Sequence, residues 1–276
     1  MNLLTPSTQT DVAHILDVLA FGEIEIEGPL VDASNVALRG ELELDDIRMR
    51  VIYKPVRGER SLWDFPDGTL ASREAAAFVV SAVGGWNLVP PTVLREGPLG
   101  PGTVQMWVDV DEGANHSLID VVTAAELAPG WLPVLEAQLA DGTEVVVAHA
   151  DRSELASAAV FDVVINNADR KGSHLVLDKS GSLWGLDHGV SCHADPKLRT
   201  VLWGWVGQPL PETELARLDA LSGWLSTPHS PLSMTLEGLL SPAEVDAIDR
   251  RISGLLVTGR FPQPNSRGPA VPWPPL

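Results

Sequence analysis

The first half of the chain alternates apolar and polar residues with the period of a β-strand. Within residues 23–31, Ile24 and Ile26 alternate with Glu25 and Glu27. Successive side chains of a strand point to opposite faces of its sheet, so this pattern predicts half-buried strands, and the short turns between them predict antiparallel neighbours. The predicted elements of this half are a helix at 9–21, strands at 23–31, 36–44 and 49–55, a helix at 70–84, and strands at 88–96 and 102–110.

The second half reads as mainly helical. One short hairpin, at 174–187, interrupts it. Residues 262–276 contain six prolines and no periodicity, which indicates an extended tail or packing arm. A small sheet-rich half therefore precedes a helical one, and the fold class is α+β. The predicted helices of the second half lie at 117–127, 131–139, 151–167, 211–226 and 241–257.

Amino-acid composition and net charge limit the partners and the location that we expect for this protein. The 276 residues carry 19 basic and 37 acidic side chains, a net charge of −18, which disfavours nucleic acid and anionic membranes as partners. We expect no membrane span, because no apolar run approaches about 18 residues, and no signal peptide at the N-terminus. The single cysteine, Cys192, excludes an intrachain disulfide. These features favour a cytoplasmic protein without stable membrane association.

Two charged residues of the first half could form an ion pair. Lys54 lies on the third predicted strand and Glu74 on the helix that follows. A lysine held by such a pair can bind nucleotide phosphates. The alternative is a strand lysine and a helix glutamate that both extend into water.

A second set of charged residues lies between 165 and 193. Asp169 follows a predicted helix with Arg170 and Lys171 beside it, which could keep it ionised and neutralise phosphate charge. His174 follows five residues later, and Asp187 ends a short apolar strand, a common position for a Mg²⁺ ligand. Polar turns would explain the same residues. A zinc site is a further alternative, although its spacing fits no structural zinc pattern; its residues would be His174, His188, Cys192 and His193.

The order of these features resembles an atypical kinase. The segments VIYKPVRGERSLWDFPDGT, REAAAFVVSAVGGWNLVPPTVL, GTVQMWVDV, FDVVINNADRKGSHLVL and WGLDHGVSC are similar to the phosphatidylinositol 3-/4-kinase superfamily, especially type II phosphatidylinositol 4-kinases, and distantly to HipA-like kinases. An actinobacterial branch of phosphatidylinositol-kinase-like proteins shares this resemblance. It implies a two-lobed protein-kinase-like fold with a nucleotide-binding lobe at 1–108, a catalytic lobe at 109–261 and a tail at 262–276.

The resemblance also assigns roles residue by residue. Asp169 would orient the acceptor hydroxyl or accept its proton, Arg170 and Lys171 would lie beside it, and Asp187 would bind the metal. The metal-binding asparagine of the family is His174 here, which puts Mg²⁺ preference in question and leaves Mn²⁺ open. If His174 is a ligand, metal binding should fall below about pH 6.5. The nucleotide contacts that the resemblance implies are Lys54, oriented by Glu74, and Ser34 and Asn35 near the phosphates. The backbone N–H and C=O groups of a hinge segment would bond the adenine edge; its residues are Gln105, Met106, Trp107 and Val108.

The predicted function is therefore an ATP-dependent phosphotransferase that uses Mg²⁺ or Mn²⁺. Because of the net charge of −18, its acceptor should be a soluble protein or small molecule rather than an anionic lipid. Two alternatives stay open on the same fold: a nucleotide-binding pseudokinase with a regulatory role, and an enzyme that transfers AMP.

Overall fold

The first half forms a five-stranded antiparallel sheet. The structure, a computed structural model, describes residues 9–30, 35–60, 62–65, 68–114, 117–266 and 268–276. The strand order is β1-β2-β3-β5-β4, so the predicted meander of the first three strands is confirmed. The strands are β1 (Glu23–Pro29), β2 (Leu38–Leu44), β3 (Ile47–Pro55), β4 (Thr92–Gly97) and β5 (Gly100–Met106).

Two helices accompany this sheet, as predicted. Helix α1 (Gln9–Phe21) packs Ile15, Val18 and Leu19 against the sheet, where they join buried side chains of the strands. Helix α2 (Leu70–Val83) begins at Thr69, whose side chain accepts a hydrogen bond from the Ser72 amide. The buried side chains of α2 join the larger core of the second half of the chain.

A second sheet overturns two of the helix predictions. Residues 117–127 and 131–139 were predicted to be helical, but the structure has strands there, paired in the order β6-β8-β7. Pro133 lies on the edge strand β7 beside a register shift, where its missing N–H costs no ladder bond. The strands are β6 (Ile119–Val122), β7 (Trp131–Gln138) and β8 (Glu144–Ala150).

Four helices and a short hairpin complete the described chain. The helices predicted at 151–167, 211–226 and 241–257 are confirmed, as is the hairpin, whereas α5 was not predicted. A capping box of Ser241 and Glu244 begins the last helix. These elements are α3 (Ser153–Ile165), β9 (Leu175–Leu177), β10 (Leu183–Gly185), α4 (Glu212–Ser226), α5 (Pro231–Leu239) and α6 (Pro242–Thr258). The α+β fold with an antiparallel first region and a helical second region is confirmed.

The proline-rich tail packs against the loop that contains Asp169. The carbonyl of Ala270 accepts hydrogen bonds from the Thr200 amide at 3.0 Å and from Trp203 Nε1 at 2.8 Å. The carbonyl of Pro275 accepts one from the Gly172 amide at 2.8 Å. The tail is therefore a packing arm. Within the described residues, no helix combines the length and apolarity that crossing a membrane requires.

Candidate active site

Strand β3 places Lys54 beside Glu74 of α2 and Asp187 of the helical region, at a site that we call the cleft. Val51 and Tyr53 point to the α1 side and are fully buried, so Lys54, one position further, points to the opposite face. Its Nζ lies 2.5 Å from Glu74 Oε1 and 3.7 Å from Asp187 Oδ1. Burial opposes the charged form, but the two carboxylates outweigh it and raise the pKa of Lys54 above its ordinary value. The predicted ion pair is therefore present, and the lysine stays charged.

Asp187 lies where the hairpin returns to the helical region. Its backbone has φ +56°, in the left-handed region, and its side chain is half exposed. His174, at the other end of the hairpin, places Nε2 3.8 Å from Asp187 Oδ2. Burial works against ionisation of Asp187, but the charges of Lys54 and its neighbours outweigh it and lower the pKa of Asp187. A carboxylate and an imidazole thus face each other beside Lys54.

The imidazole of His174 is neutral at physiological pH. Burial lowers the pKa of His174 to about 4; the negative charge of Asp187 opposes this shift, and the nearby cations add to it. Protonation of His174, which was expected to weaken metal binding below about pH 6.5, is therefore expected at much lower pH. The reason is desolvation, which the sequence spacing does not reveal. A metal-binding role for His174 and Asp187 stays a prediction.

Of the two cations next to it in the sequence, Asp169 pairs with Lys171 and not with Arg170. Lys171 Nζ lies 3.1 Å from Asp169 Oδ2, and the Asp169 amide donates to Asn167 Oδ1 at 3.0 Å. Burial raises the pKa of Asp169, although Lys171 opposes the shift. Asp169 is therefore a stronger base than a solvated aspartate, while Lys171 still favours its ionised form.

Arg170 does not face the cleft. Its guanidinium is completely buried and pairs with Asp162 of α3, with Nη2 2.9 Å from Oδ1. The prediction that Arg170 neutralises phosphate charge next to Asp169 is therefore wrong. Arg170 points inward because the buried carboxylate of Asp162 pairs with it there, whereas Lys171 pairs with Asp169.

The hinge offers fewer free N–H groups than predicted. The Met106 amide donates to the Pro91 carbonyl at 2.9 Å, and the Trp107 amide donates to the Arg50 carbonyl at 3.0 Å. The prediction that these two N–H groups bond adenine is therefore wrong. The Gln105 side chain is buried and donates to Thr92 Oγ1, and Val108 is also buried. Asn35 Oδ1 accepts a hydrogen bond from the Arg60 amide. Ser34 lies outside the described residues.

The structure gives no support to the zinc alternative. His188 and Cys192 are fully buried, and His188 Nε2 is 2.7 Å from Arg170 Nη2. Within the described ranges, no group of three or more His, Cys, Asp or Glu side chains could hold a metal. A cation at Asp187 would therefore need further ligands from a bound molecule.

Sequence reasoning missed the buried acids behind the cleft. Asp162 accepts hydrogen bonds from Asn167 Nδ2 at 3.1 Å and Thr200 Oγ1 at 3.3 Å, besides Arg170. Glu244 of α6 pairs with Arg73 of α2 at 2.5 Å. The available signal was Asp162 itself, an acid within the apolar segment Val160–Ile165, where a charge needs a partner.

A curated relative decides the family. Protein Rv2133c of Mycobacterium tuberculosis (strain ATCC 25618 / H37Rv) is 46% identical over 264 residues, which cover 93% of this chain and 94% of the relative. The chain belongs to the Rv2133c family. No protein-family model matches it.

Solved kinase structures share the fold of this Rv2133c family member. A Golgi casein kinase is 15% identical with a TM-score of 0.56, covering 92% of this chain and 75% of that chain. The Golgi casein kinase with Mn and ADP bound is 16% identical with a TM-score of 0.55, over 91% and 76%. Hydra Fam20 with sugar is 13% identical with a TM-score of 0.50, over 93% and 90%. An atypical kinase fold is thus shown, while the narrower phosphatidylinositol-kinase assignment stays a prediction.

Proposed function

We propose that this protein is an ATP-dependent phosphotransferase, which transfers the γ-phosphoryl group of ATP to a hydroxyl of a soluble protein or small molecule. The observation that carries the proposal is the position of Lys54, whose ammonium lies between Glu74 at 2.5 Å and Asp187 at 3.7 Å. Phosphoryl-transfer enzymes use such a lysine to hold nucleotide phosphates and such an aspartate to bind their metal. The similar kinase structure with Mn and ADP supports this assignment.

Each charged residue of the cleft then has one task. Glu74 holds the Lys54 ammonium, which binds the phosphates of ATP. Asp169 orients the acceptor hydroxyl and takes its proton as the oxygen attacks the γ-phosphorus, and Lys171 offsets the negative charge of the transferred group. Of the predicted hinge amides, Val108 is the one we assign to the adenine edge, because those of Met106 and Trp107 bond to the protein and Gln105 lies within β5, which is paired on both sides.

The side chains at Asp187 fit a divalent cation that arrives with the nucleotide. One carboxylate and one neutral imidazole face each other at 3.8 Å, and phosphate oxygens would complete the coordination. The nitrogen donor of His174 suits Mn²⁺ better than Mg²⁺. A bound cation supplies charge neutralisation at the phosphate oxygens. We retain both metals as candidates.

The acceptor class follows from charge. A net charge of −18 opposes docking on an anionic lipid, which attracts surface lysines and arginines. We therefore propose a soluble acceptor, a cytoplasmic location, and a division into a nucleotide lobe at 1–108, a catalytic lobe at 109–261 and a tail at 262–276.

Nucleotide binding and turnover test the proposal separately. We expect the full chain to bind ADP with Mn²⁺ or Mg²⁺ in a calorimetric titration and to release ADP from ATP when an acceptor is present. Lys54→Ala and Asp187→Asn should each weaken binding at least about tenfold, which is about 1.4 kcal/mol. Asp169→Asn should abolish turnover and leave ADP affinity within about twofold, because Asp169 acts on the acceptor.

Two exposed residues provide matched controls. Lys179→Ala and Asp219→Asn remove the same charges from exposed positions on a turn and a helix, and both should behave like the parent. Wild-type protein that binds no nucleotide would overturn the proposal. Binding without turnover would favour the pseudokinase alternative, and an adenylylated product in mass spectrometry would favour AMP transfer.

A further inference from the structure

One buried guanidinium contacts His174 and both sequence neighbours of Asp187, the two residues that we assign to the cation. Arg170 Nη1 donates to the Leu186 carbonyl at 3.1 Å and to the His174 carbonyl at 3.4 Å. Its Nη2 lies 2.7 Å from His188 Nε2, and because arginine only donates, this nitrogen accepts. Leu186 and His188 are the two neighbours of Asp187. The fork of Arg170 therefore contacts the chain on both sides of Asp187 and at His174 itself.

Asp187 needs such support because of its backbone. A non-glycine residue in the left-handed region is uncommon, and such a conformation persists where the surrounding structure holds it. The bonds from Arg170 to the Leu186 carbonyl and the His188 ring hold it from each side. A rigid guanidinium can make these bonds together, whereas a lysine ammonium has no fixed fork.

Asp162 fixes the other edge of the guanidinium. Arg170 Nε lies 3.1 and 3.0 Å from its two carboxylate oxygens. Asp162 is fully buried and also accepts from Asn167, on the loop before Asp169, and from Thr200. Removing one member of a buried pair leaves an uncompensated charge, so neither residue is expected to adopt another position.

We propose that Asp162 and Arg170 are positioning residues, which set the Asp187 carboxylate and the His174 imidazole at the spacing that a nucleotide-bound divalent cation requires. This inference rests on the proposed function. It differs from the rejected expectation for Arg170, since the guanidinium acts through the backbone and through His188 and touches no phosphate.

Comparing ADP affinity with and without the metal isolates this role. In the full-length protein, Asp162→Asn and Arg170→Lys should weaken binding of ADP with Mn²⁺ by about 10- to 100-fold, the usual effect of losing a residue that orients a metal ligand. Affinity for ADP in EDTA should stay within about twofold, because Lys54 and the hinge are untouched. The electron paramagnetic resonance spectrum of Mn²⁺ with ADP should also change.

Glu214→Gln is the matched control. Glu214 is another buried acid with three kinds of donor, Arg217, Trp86 Nε1 and Ser157 Oγ, but it lies on α4 away from the cleft. Its loss should lower stability and leave the affinity for ADP with Mn²⁺ unchanged.

A third variant, His188→Phe, tests the positioning role if Asp162→Asn does not fold. His188→Phe keeps the buried charge pair and the ring volume and removes the acceptor beside Asp187, so it should reproduce the metal-specific loss. Wild-type affinity for ADP with Mn²⁺ in the folded variants, or an equal loss with and without metal, would overturn this inference alone. Wild-type protein that binds ADP in neither condition would overturn the proposed function and this inference with it.

Discussion

The metal preference that we propose for the cleft rests on a single residue, His174. Its Nε2 faces Asp187 at 3.8 Å, and burial keeps the imidazole neutral by lowering its pKa to about 4. A neutral imidazole offers a nitrogen lone pair, where asparagine would offer a carbonyl oxygen. Mg²⁺ prefers oxygen ligands more strongly than Mn²⁺ does.

We therefore expect His174→Asn to shift the ratio of Mn²⁺- to Mg²⁺-supported ADP affinity toward Mg²⁺ by about tenfold, or 1.4 kcal/mol. Calorimetric titration with each metal measures it. His14→Asn, which changes an exposed histidine of α1, is the control and should leave the ratio unchanged. An unchanged ratio in His174→Asn would show that His174 is no ligand.

A different histidine, His149, makes folding sensitive to pH. It is fully buried; its Nδ1 donates to the Ala150 carbonyl at 3.0 Å, and its Nε2 accepts from the Gly204 amide at 3.0 Å. Burial lowers the pKa of His149. The folded state therefore binds fewer protons than the unfolded state below about pH 6.5, so this contribution to stability is present above that pH and lost as the pH falls.

We expect the free energy of unfolding in urea to fall from pH 7.5 to pH 5.5, with a contribution from His149 of up to about 1.4 kcal/mol per pH unit. His149→Gln should reduce this slope, although His174 and His188, whose pKa values are also lowered, still contribute. His14→Gln should retain the full slope. A slope that is the same in all three proteins would contradict the prediction.

Among the helices and strands, the predictions that succeeded are those that rest on a local sequence pattern. The alternation of β1 and β3 and the Ala-rich run of α2 are local signals, and tertiary contacts agree with them. Strand β7 contains Leu135–Gln138, four residue types that favour a helix, but pairing with the Val-rich β8 outweighs that preference. Such pairing is between distant residues, which periodicity in one segment cannot reveal.

The residues of the candidate site also divide into those that a local sequence pattern locates and those that depend on contacts between distant residues. The nearness of Lys54 to Glu74 and Asp187 could be predicted from the sequence because a strand, a helix and a turn hold them in a recognisable order. The inward direction of Arg170 could not be predicted, because it depends on Asp162 of α3 and on the return of the hairpin at His188.

The tail is an element whose loss should be measurable. Ala270 and Pro275 accept three hydrogen bonds from Thr200, Trp203 and Gly172. At about 1 kcal/mol for each bond, removal of residues 270–276 should lower the free energy of unfolding by about 3 kcal/mol. Urea denaturation measures this loss. Trp273→Ala, which changes a side chain that is 78% exposed, should cost less than about 0.5 kcal/mol; an equally small loss on truncation would show that the tail contributes little.

At the scale of the molecule, α2 joins the sheet to the helical half. The smaller core lies between α1 and the sheet, and the larger core includes Ala76, Ala77 and Val80 of α2 together with α3 and later helices. Arg73 of α2 also pairs with Glu244, and Asp64 pairs with Lys197 at 3.2 Å. The helix that carries Glu74 is therefore buried by the helical half.

This arrangement predicts that residues 1–108 do not fold alone. Separated from the rest, α2 would expose its apolar face, at about 25 cal/mol for each Å² of apolar surface, and would leave Arg73 without Glu244. We expect the full chain to unfold in one transition in both circular dichroism and tryptophan fluorescence, and the 1–108 fragment to show no cooperative transition in urea. The 109–276 fragment lacks the α2 contribution to its core, so it should bind a hydrophobic dye. A fragment of residues 1–108 that unfolds cooperatively would instead show that this part of the chain is an independent domain, and that the packing of α2 contributes little to its stability.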